Sequence, residues 1–406
     1  MGDEIDVAVV GAGAAGIAAA RRLAGAGRRV RVLEALPRLG GRAHTVQARG
    51  LPLDLGCGWL HSAGRNPLVA QAEAIGMVVD RGESAWGVQL RNLGFSLADQ
   101  QAARAAYAAM EERLHGEVPD DRAGAAIAPD DRWRPFCDAL SGFVNGDELD
   151  LLSAADLLAY DDHATDDNWR VAEGYGTLLS RLGGSLDVLL DTKVSAVDIC
   201  GSGVVVETSR GTLRAGAAIV AVPTPVLASG AIRFAPSVDP HLHAAACLPL
   251  GLANKLFLWM PDPEAVPPES HLLGDPHRAE TGSYYLRPLG HPVIECFFGG
   301  RGARALEAAG DGAMEAFARE ELARLLGSAF AAKVQPIAAT AWGREPTIGG
   351  SYSHAVPGHA DARAVLAEPP SERLLFAGEA CSPRDFSTAH GAWMSGIAAA
   401  ERLLAP

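Results

Sequence analysis

Apolar positions fall into two periods along the chain. Residues 5–10 (IDVAVV) and 30–33 (VRVL) are short continuous runs of the length of a buried strand, and residues 17–26 between them are alanine-rich at helical spacing. A strand–helix–strand unit is predicted there. Residues 67–170 read mostly as helix, over 67–75, 96–115, 132–145 and 149–158, with a polar, proline-bearing connector at 117–131. Strands are predicted at 186–190, 193–197, 204–208, 211–214 and 217–222, the last three forming a small meander. Alternation over 251–259 predicts another strand, followed by strands at 284–286 and 293–298, an amphipathic helix at 313–326 and a strand at 337–342. The pattern closes with a strand at 374–377 and a helix from Thr388 to Leu404. Strands alternating with helices at both ends, around a helical and mixed middle, imply an α/β fold.

Composition narrows the function. The chain has 406 residues, enough for two or three domains, and 48% of them are hydrophobic, which is ordinary for a globular protein. No run of eighteen purely apolar residues exists, so no membrane span is expected. The net charge is −14, which argues against nucleic acid and suits a cationic substrate, with plain solubility as the other account. Cysteines at 57, 137, 200, 247, 296 and 381 form no C-x-x-C pair, so neither a disulfide nor a metal is expected. The start, Met1-Gly2-Asp3-Glu4, is unlike a signal peptide and the end, Leu404-Ala405-Pro406, lacks a hydrophobic tail. A cytoplasmic location is expected.

The first chemistry lies directly after the first strand. Gly11-Ala12-Gly13-Ala14-Ala15-Gly16 is G-x-G-x-x-G at the opening of a helix, with Glu34 and Ala35 ending the second strand. Gly11 permits the tight turn, Gly13 lets backbone approach a pyrophosphate, and Gly16 brings helix close to strand. The amides near Ala14 and Ala15 face the phosphates at the positive end of the helix dipole, and Glu34 can accept from ribose hydroxyls. Pro37-Arg38-Leu39-Gly40-Gly41-Arg42 adds two glycines and a planar cation that a generic dinucleotide site does not require.

That R-x-G-G-R stretch resembles the flavin-containing amine oxidase family, which includes monoamine oxidases, polyamine oxidases and histone demethylases of that type. Further motifs follow in the family's order. Asp54-Leu55-Gly56-Cys57-Gly58-Trp59-Leu60-His61 resembles the D-x-G-x-x-W-[IL]-H-G segment of polyamine oxidases, with Ser62 in place of the last glycine. The resemblance puts Gly56, Gly58 and Trp59 against the flavin and His61 in the substrate channel. Gly174-Tyr175-Gly176 resembles a family glycine segment, and Val194 is expected to contact adenine through its backbone. Ala221-Val222-Pro223 with Val226-Leu227 resembles the T-V-P-x-x-V-L type. Asn254-Lys255-Leu256-Phe257-Leu258 resembles N-K-x-F-L, whose lysine holds a water against flavin N5. Trp342-Gly343-Arg344-Glu345-Pro346 and Gly350-Ser351-Tyr352-Ser353 make Trp342 and Tyr352 walls of the site. Ser351 stands where monoamine oxidases carry a cysteine linked to FAD, so FAD is expected to be non-covalent. Gly378-Glu379 is expected to bind a ribitol hydroxyl, and the helix start at Ala389 to point its dipole at flavin C2=O. Thr388 replaces the second cage tyrosine of monoamine oxidases, which implies a wider, more polar pocket.

The resemblance implies a Rossmann-type FAD domain of residues 1–79, 171–248 and 343–406, and a discontinuous α+β substrate domain of residues 80–170 and 249–342. It implies oxidation of an amine, a polyamine or related aliphatic amine, to an imine by hydride transfer to flavin N5, with O2 giving H2O2. Lys255, His61, Tyr352, Trp342 and Thr388 are the expected catalytic set. A same-fold oxidase or desaturase acting on a non-amine, and a non-catalytic FAD-binding protein, are the rival readings. An acidic-aromatic cluster, Tyr160-Asp161-Asp162 and Asp166-Asp167-Asn168-Trp169, either faces a cationic substrate or is a solvated loop. Neither the amine nor the oligomeric state is specified by the sequence.

Overall fold

The computed structural model describes residues 5–405; the acidic start of the chain and residue 406 lie outside it. The elements nearest the sites described below are, in chain order, β1 (Ile5–Val10), α1 (Ala14–Gly25), β2 (Val30–Leu33), α2 (Leu97–Leu114), α3 (Arg134–Asn145), β3 (Gly211–Val220), α4 (Asp239–Ala246), β4 (Ala253–Trp259), β5 (Val293–Gly299), β6 (Leu374–Phe376) and α5 (Ala389–Leu404).

The first sheet has eight strands. β1 lies between β2 and β3, parallel to both, with Val7 opposite Val30 and Ala217. β3 pairs parallel with β6, Ala218 opposite Leu374, so strands more than 150 residues apart in sequence are adjacent. The near end of β3 joins the antiparallel meander through Gly203–Thr208 and Val194–Cys200. α1 covers one face of this sheet. Its buried alanines, Ala15, Ala18 and Ala19, leave room for α5 to lie directly on it. A Cβ added at Gly396 of α5 would stand 2.0 Å from the Ala15 carbonyl oxygen, so only glycine permits that approach.

The second sheet is antiparallel, in the order Ser270–Leu273, Gly282–Leu286, β5, β4, Gln335–Ala339. Strand period divides its residues between two faces. Leu256, Leu258, Ile294, Cys296 and Phe298 pack into a core with Ala303, Ala318 and Leu322 of the helices behind. Lys255, Phe257, Glu295 and Phe297 alternate with them and take the opposite face, with Lys255 opposite Phe297 in register. α2, α3 and the helix Ala154–Asp161 form a cap with its own core of Met110, Trp133, Phe136 and Leu157, joined by Leu273 from the sheet. Among the described residues no helix is long and apolar enough to cross a membrane.

Several elements differ from the sequence pattern. α1 starts inside the glycine turn, because Gly13 is extended and ends the turn there. Residues 211–220 form one strand where two were predicted. The predicted helix over 149–158 is a short 3-10 turn, Leu149–Leu151, followed by Ala154–Asp161; the Ser153 hydroxyl caps the latter by accepting from the Asp156 amide, and so resets the start. Trp342 lies in a 3-10 turn after a strand that ends at Ala339. The hairpin Thr45–Ala48 with Leu51–Asp54, the helix Tyr175–Gly183, α4 and the helix Gly300–Ala309 were not predicted.

Candidate active site

One cavity of ≈ 720 Å³ runs from the glycine turn under the end of β1 to the space between the second sheet and the cap. Gly11, Gly13, Ala14, Ala15, Glu34, Ala35, Gly41, Arg42, Gly56, Gly58, Trp59, Val194, Gly378, Glu379, Thr388 and Ala389 all line it, as do Lys255, His61, Tyr352 and Trp342. Gly16 alone of the expected residues is absent from the wall. It packs beneath, where an added Cβ would stand 1.9 Å from the Gly11 carbonyl oxygen.

The first end of the cavity fits a dinucleotide. Gly11 has φ +102°, and a Cβ there would meet the Ala221 carbonyl at 2.5 Å. At Gly13 nothing lies within 4 Å of an added Cβ, so its backbone is open to a ligand. No side chain caps the start of α1. Glu34 is buried, and its carboxylate accepts from the amides of Ala12 (2.6 Å) and Leu36 (2.8 Å). Burial pushes its carboxyl above the usual range despite those bonds. Arg42 is less free than the sequence implied. One of its terminal nitrogens donates to the Ser351 carbonyl (2.7 Å) and to Glu379 (2.8 Å). The other Glu379 oxygen accepts from Ser353 Oγ (2.6 Å) and the Ser387 amide (2.9 Å). Burial pushes the Glu379 carboxyl up, but the Arg42 and Arg363 cations outweigh it and hold it low.

Lys255 anchors the other end. Its ammonium donates to the Asp54 carbonyl (2.9 Å) and pairs with Glu295 (2.8 Å). Both side chains are only 8% exposed. An ammonium has three N–H donors, so one remains beyond these two partners. Glu295 escaped the sequence reading because its partner is set by strand register. The signal was an acid in an apolar strand, Val293-Ile294-Glu295-Cys296-Phe297-Phe298.

His61 is held by the cluster whose role the sequence left open. His61 Nδ1 lies 2.6 Å from Asn168 Oδ1, while the Asn168 amide nitrogen donates to the Asp166 carbonyl. With that amide orientation, Nδ1 carries the proton and Nε2 keeps a lone pair. Burial pushes the imidazole down to about 4, with the positive charge of Lys255 adding to the effect and the Asn168 bond opposing it. His61 is therefore neutral at pH 7. Asp167 accepts from the Gly64 amide and Trp169 bridges Leu60, so this loop is a brace for the His61 turn. Trp86 stacks on His61 with ring centres 6.0 Å apart and meets Trp59 in a tilted contact at 4.2 Å; Arg170 lies over Trp59 and Tyr285.

Tyr352 and Trp342 form walls, and their polar atoms are bound to backbone. The Tyr352 hydroxyl donates to the Phe143 carbonyl of α3, and Trp342 Nε1 donates to the Leu55 carbonyl (3.2 Å). Thr388 departs from expectation. Its hydroxyl donates to the Asp385 carbonyl (2.6 Å) and accepts from the Gly391 amide (2.9 Å), so it caps α5 and adds no free polar group to the cavity. Around it the cap supplies Phe136, Leu140, Phe143 and Val144. The same cap also places Gln100, Arg104, Tyr107, Glu111 and Asn145 on the wall. Ser351 Oγ is bonded to both the amide and the carbonyl of Ala253.

A family model described as flavin containing amine oxidoreductase matches residues 14–404. The chain is similar to Polyamine oxidase 2 of Arabidopsis thaliana, 28% identical over 97% of this chain and 87% of the relative. Polyamine oxidase 4 of Oryza sativa subsp. japonica is 29% identical over 97% and 88%. The fold is similar to that of a wild-type putrescine oxidase bound to putrescine, with a TM-score of 0.77, 20% identity and 99% of each chain covered.

Proposed function

The chain belongs to the flavin-containing amine oxidoreductase family, and from that premise we propose that its substrate is a polyamine or related aliphatic amine, oxidised beside nitrogen to an imine that water hydrolyses, with O2 consumed and H2O2 released. FAD, held non-covalently, supplies the two-electron acceptor for the hydride equivalent. Residues 1–79, 171–248 and 343–406 hold FAD in this reading, and residues 80–170 and 249–342 hold the amine. Gly11, Gly13 and the start of α1 take the pyrophosphate, Glu34 a ribose, Val194 the adenine, and Arg42, Glu379 and Ala389 lie toward the flavin.

The observation that carries the reading is that His61 and Lys255, the latter paired with Glu295, line the same cavity between the aromatic walls of Trp59, Trp342 and Tyr352. An amine must shed a proton before its nitrogen lone pair can assist C–H cleavage. With Nδ1 bound to Asn168, His61 Nε2 keeps a lone pair that can accept a hydrogen bond from the amine N–H, the ammonium proton itself passing to solvent before oxidation. The remaining donor of Lys255 fixes one water or substrate atom, and Tyr352 and Trp342 flank the substrate carbon. At the cap end of the cavity Glu111 of α2 is the carboxylate on the wall, placed for a second nitrogen of a polyamine. The six free cysteines suit a reducing compartment, in keeping with the cytoplasm.

Mixing the purified protein anaerobically with putrescine, spermidine, spermine and their N-acetylated forms tests the reading. Bleaching of the flavin absorbance by at least one of them, and H2O2 release on admitting air, is expected. A flavin left oxidised by every amine, amino acids included, overturns it. Glu111→Gln should raise KM for polyamines and leave a simple alkylamine unaffected.

A further inference from the structure

Away from the cavity, three side chains of metal-ligating type converge. α4 ends in His243-Ala244-Ala245-Ala246-Cys247, and helical period places residues four apart on one side. His243 Nε2 and Cys247 Sγ are 3.7 Å apart. His359 arrives from the turn Val356-Pro357-Gly358-His359, with its ring centre 6.1 Å from that of His243. One ligand atom from each of the three lies within 4.8 Å of the others, and among the described residues no second trio of His, Cys or acid side chains does this. Tetrahedral zinc with bonds of about 2.3 Å to sulfur and about 2.05 Å to nitrogen sets these atoms about 3.6 Å apart, so the His243–Cys247 pair already has that spacing.

We propose that His243, Cys247 and His359 bind a divalent ion of the zinc class, separately from the flavin site. The donor set is two imidazoles and a thiolate, which selects a borderline-soft tetrahedral ion over magnesium or calcium. The imidazole of His243 is exposed and the thiol is buried beneath it, which gives the ion a path from solvent and the complex a dry floor of Ala244, Leu248 and Ala362. The fourth position is left to water. On binding, the Cys247 S–H proton passes to solvent and both imidazoles bind neutral. The chain path adds support. The Val356 amide donates to the Cys247 carbonyl (3.1 Å), so the loop bearing His359 is already clipped to the end of α4. That loop continues from Tyr352 and Ser353, so the ion would fasten the segment that walls the cavity without touching it. No metal was expected from the sequence because no cysteine forms C-x-x-C, and His243 and Cys247, four apart on one helix, were not counted as a metal spacing while His359 lies more than a hundred positions away.

The test uses the flavin-loaded full chain with any affinity tag removed. The protein is stripped with a chelator and titrated separately with zinc sulfate and cobalt chloride. One zinc per chain is expected, retained through gel filtration, together with a thiolate-to-cobalt absorption band and a thermal midpoint raised by zinc. Cys247→Ser should lose the charge-transfer band and the thermal shift, and His359→Gln should weaken binding about tenfold or more. Both variants should keep flavin content and amine turnover, since neither residue lines the cavity. Failure to bind zinc stoichiometrically at micromolar concentration overturns the proposal. So does equal affinity and an equal cobalt spectrum in wild type and both variants, which would mark adventitious binding elsewhere.

Discussion

At the scale of single residues, the site rests on two charges being managed oppositely. Lys255 is kept with a full carboxylate partner, while His61 is kept neutral. Glu295→Gln leaves a buried ammonium without its counter-charge. A loss of about 3–5 kcal/mol in urea unfolding is expected, with flavin reduction slowed on the order of a hundredfold if Lys255 shifts by about 1 Å. Rapid mixing with an amine measures the second effect. His61 and His271 are both pushed by burial to about 4. An unfolded histidine titrates near about 6.5, so as pH falls below that value the unfolded chain takes up the protons first. Stability present above pH ~6.5 is therefore lost on the way down to ~4, by about 3 kcal/mol for each histidine. His271→Asn should flatten that pH dependence, read as urea midpoints at two pH values. Single residues were unevenly legible in the sequence. Gly11, Gly13, Glu34 and Lys255 stand in motifs whose spacing is itself the chemistry. Asn168 stands 107 positions from His61, and no local pattern announces that the two will meet.

At the scale of elements, α1 and α5 form the joint that brings the two ends of the chain to one cavity. Gly396→Ala should force them apart, costing about 1–3 kcal/mol and lowering the flavin retained after dialysis. Gly25→Ala, at the end of the same α1, meets nothing within 4 Å and serves as the control, with neutral or slightly raised stability expected. Circular dichroism melts with flavin quantitation compare the two. The strands and helices of this joint were readable because apolar runs, glycine turns and helical alanines coincide there. The break at Ser153 and the early start of α1 were not, since caps decide boundaries and the hydrophobic period does not register them. The hairpin Thr45–Ala48 with Leu51–Asp54 was missed because its strands are four residues long and mostly half-buried, too short to show alternation.

At the scale of the whole molecule, the net charge of −14 surrounds a cavity whose cap-end wall carries Glu111. Attraction of a polycation to such a surface is screened over about 8–10 Å at ordinary ionic strength. The value of kcat/KM for spermidine should fall severalfold between low and high salt while kcat stays level, as steady-state assays would show. The α/β class followed from the order of elements. The placement of β3 between β1 and β6 did not, because pairing between strands so far apart in sequence leaves no trace in either. That placement also governs how the protein is made. The edge of β3 at Ala218–Val220 waits for residues 374–376 to leave the ribosome. Until then a three-residue apolar stretch of β3, whose other edge is paired with β1, keeps one edge open, the kind of edge that recruits another chain. Yield in a cell should therefore depend on holding chaperones during synthesis, and flavin can be captured only after translation is essentially over.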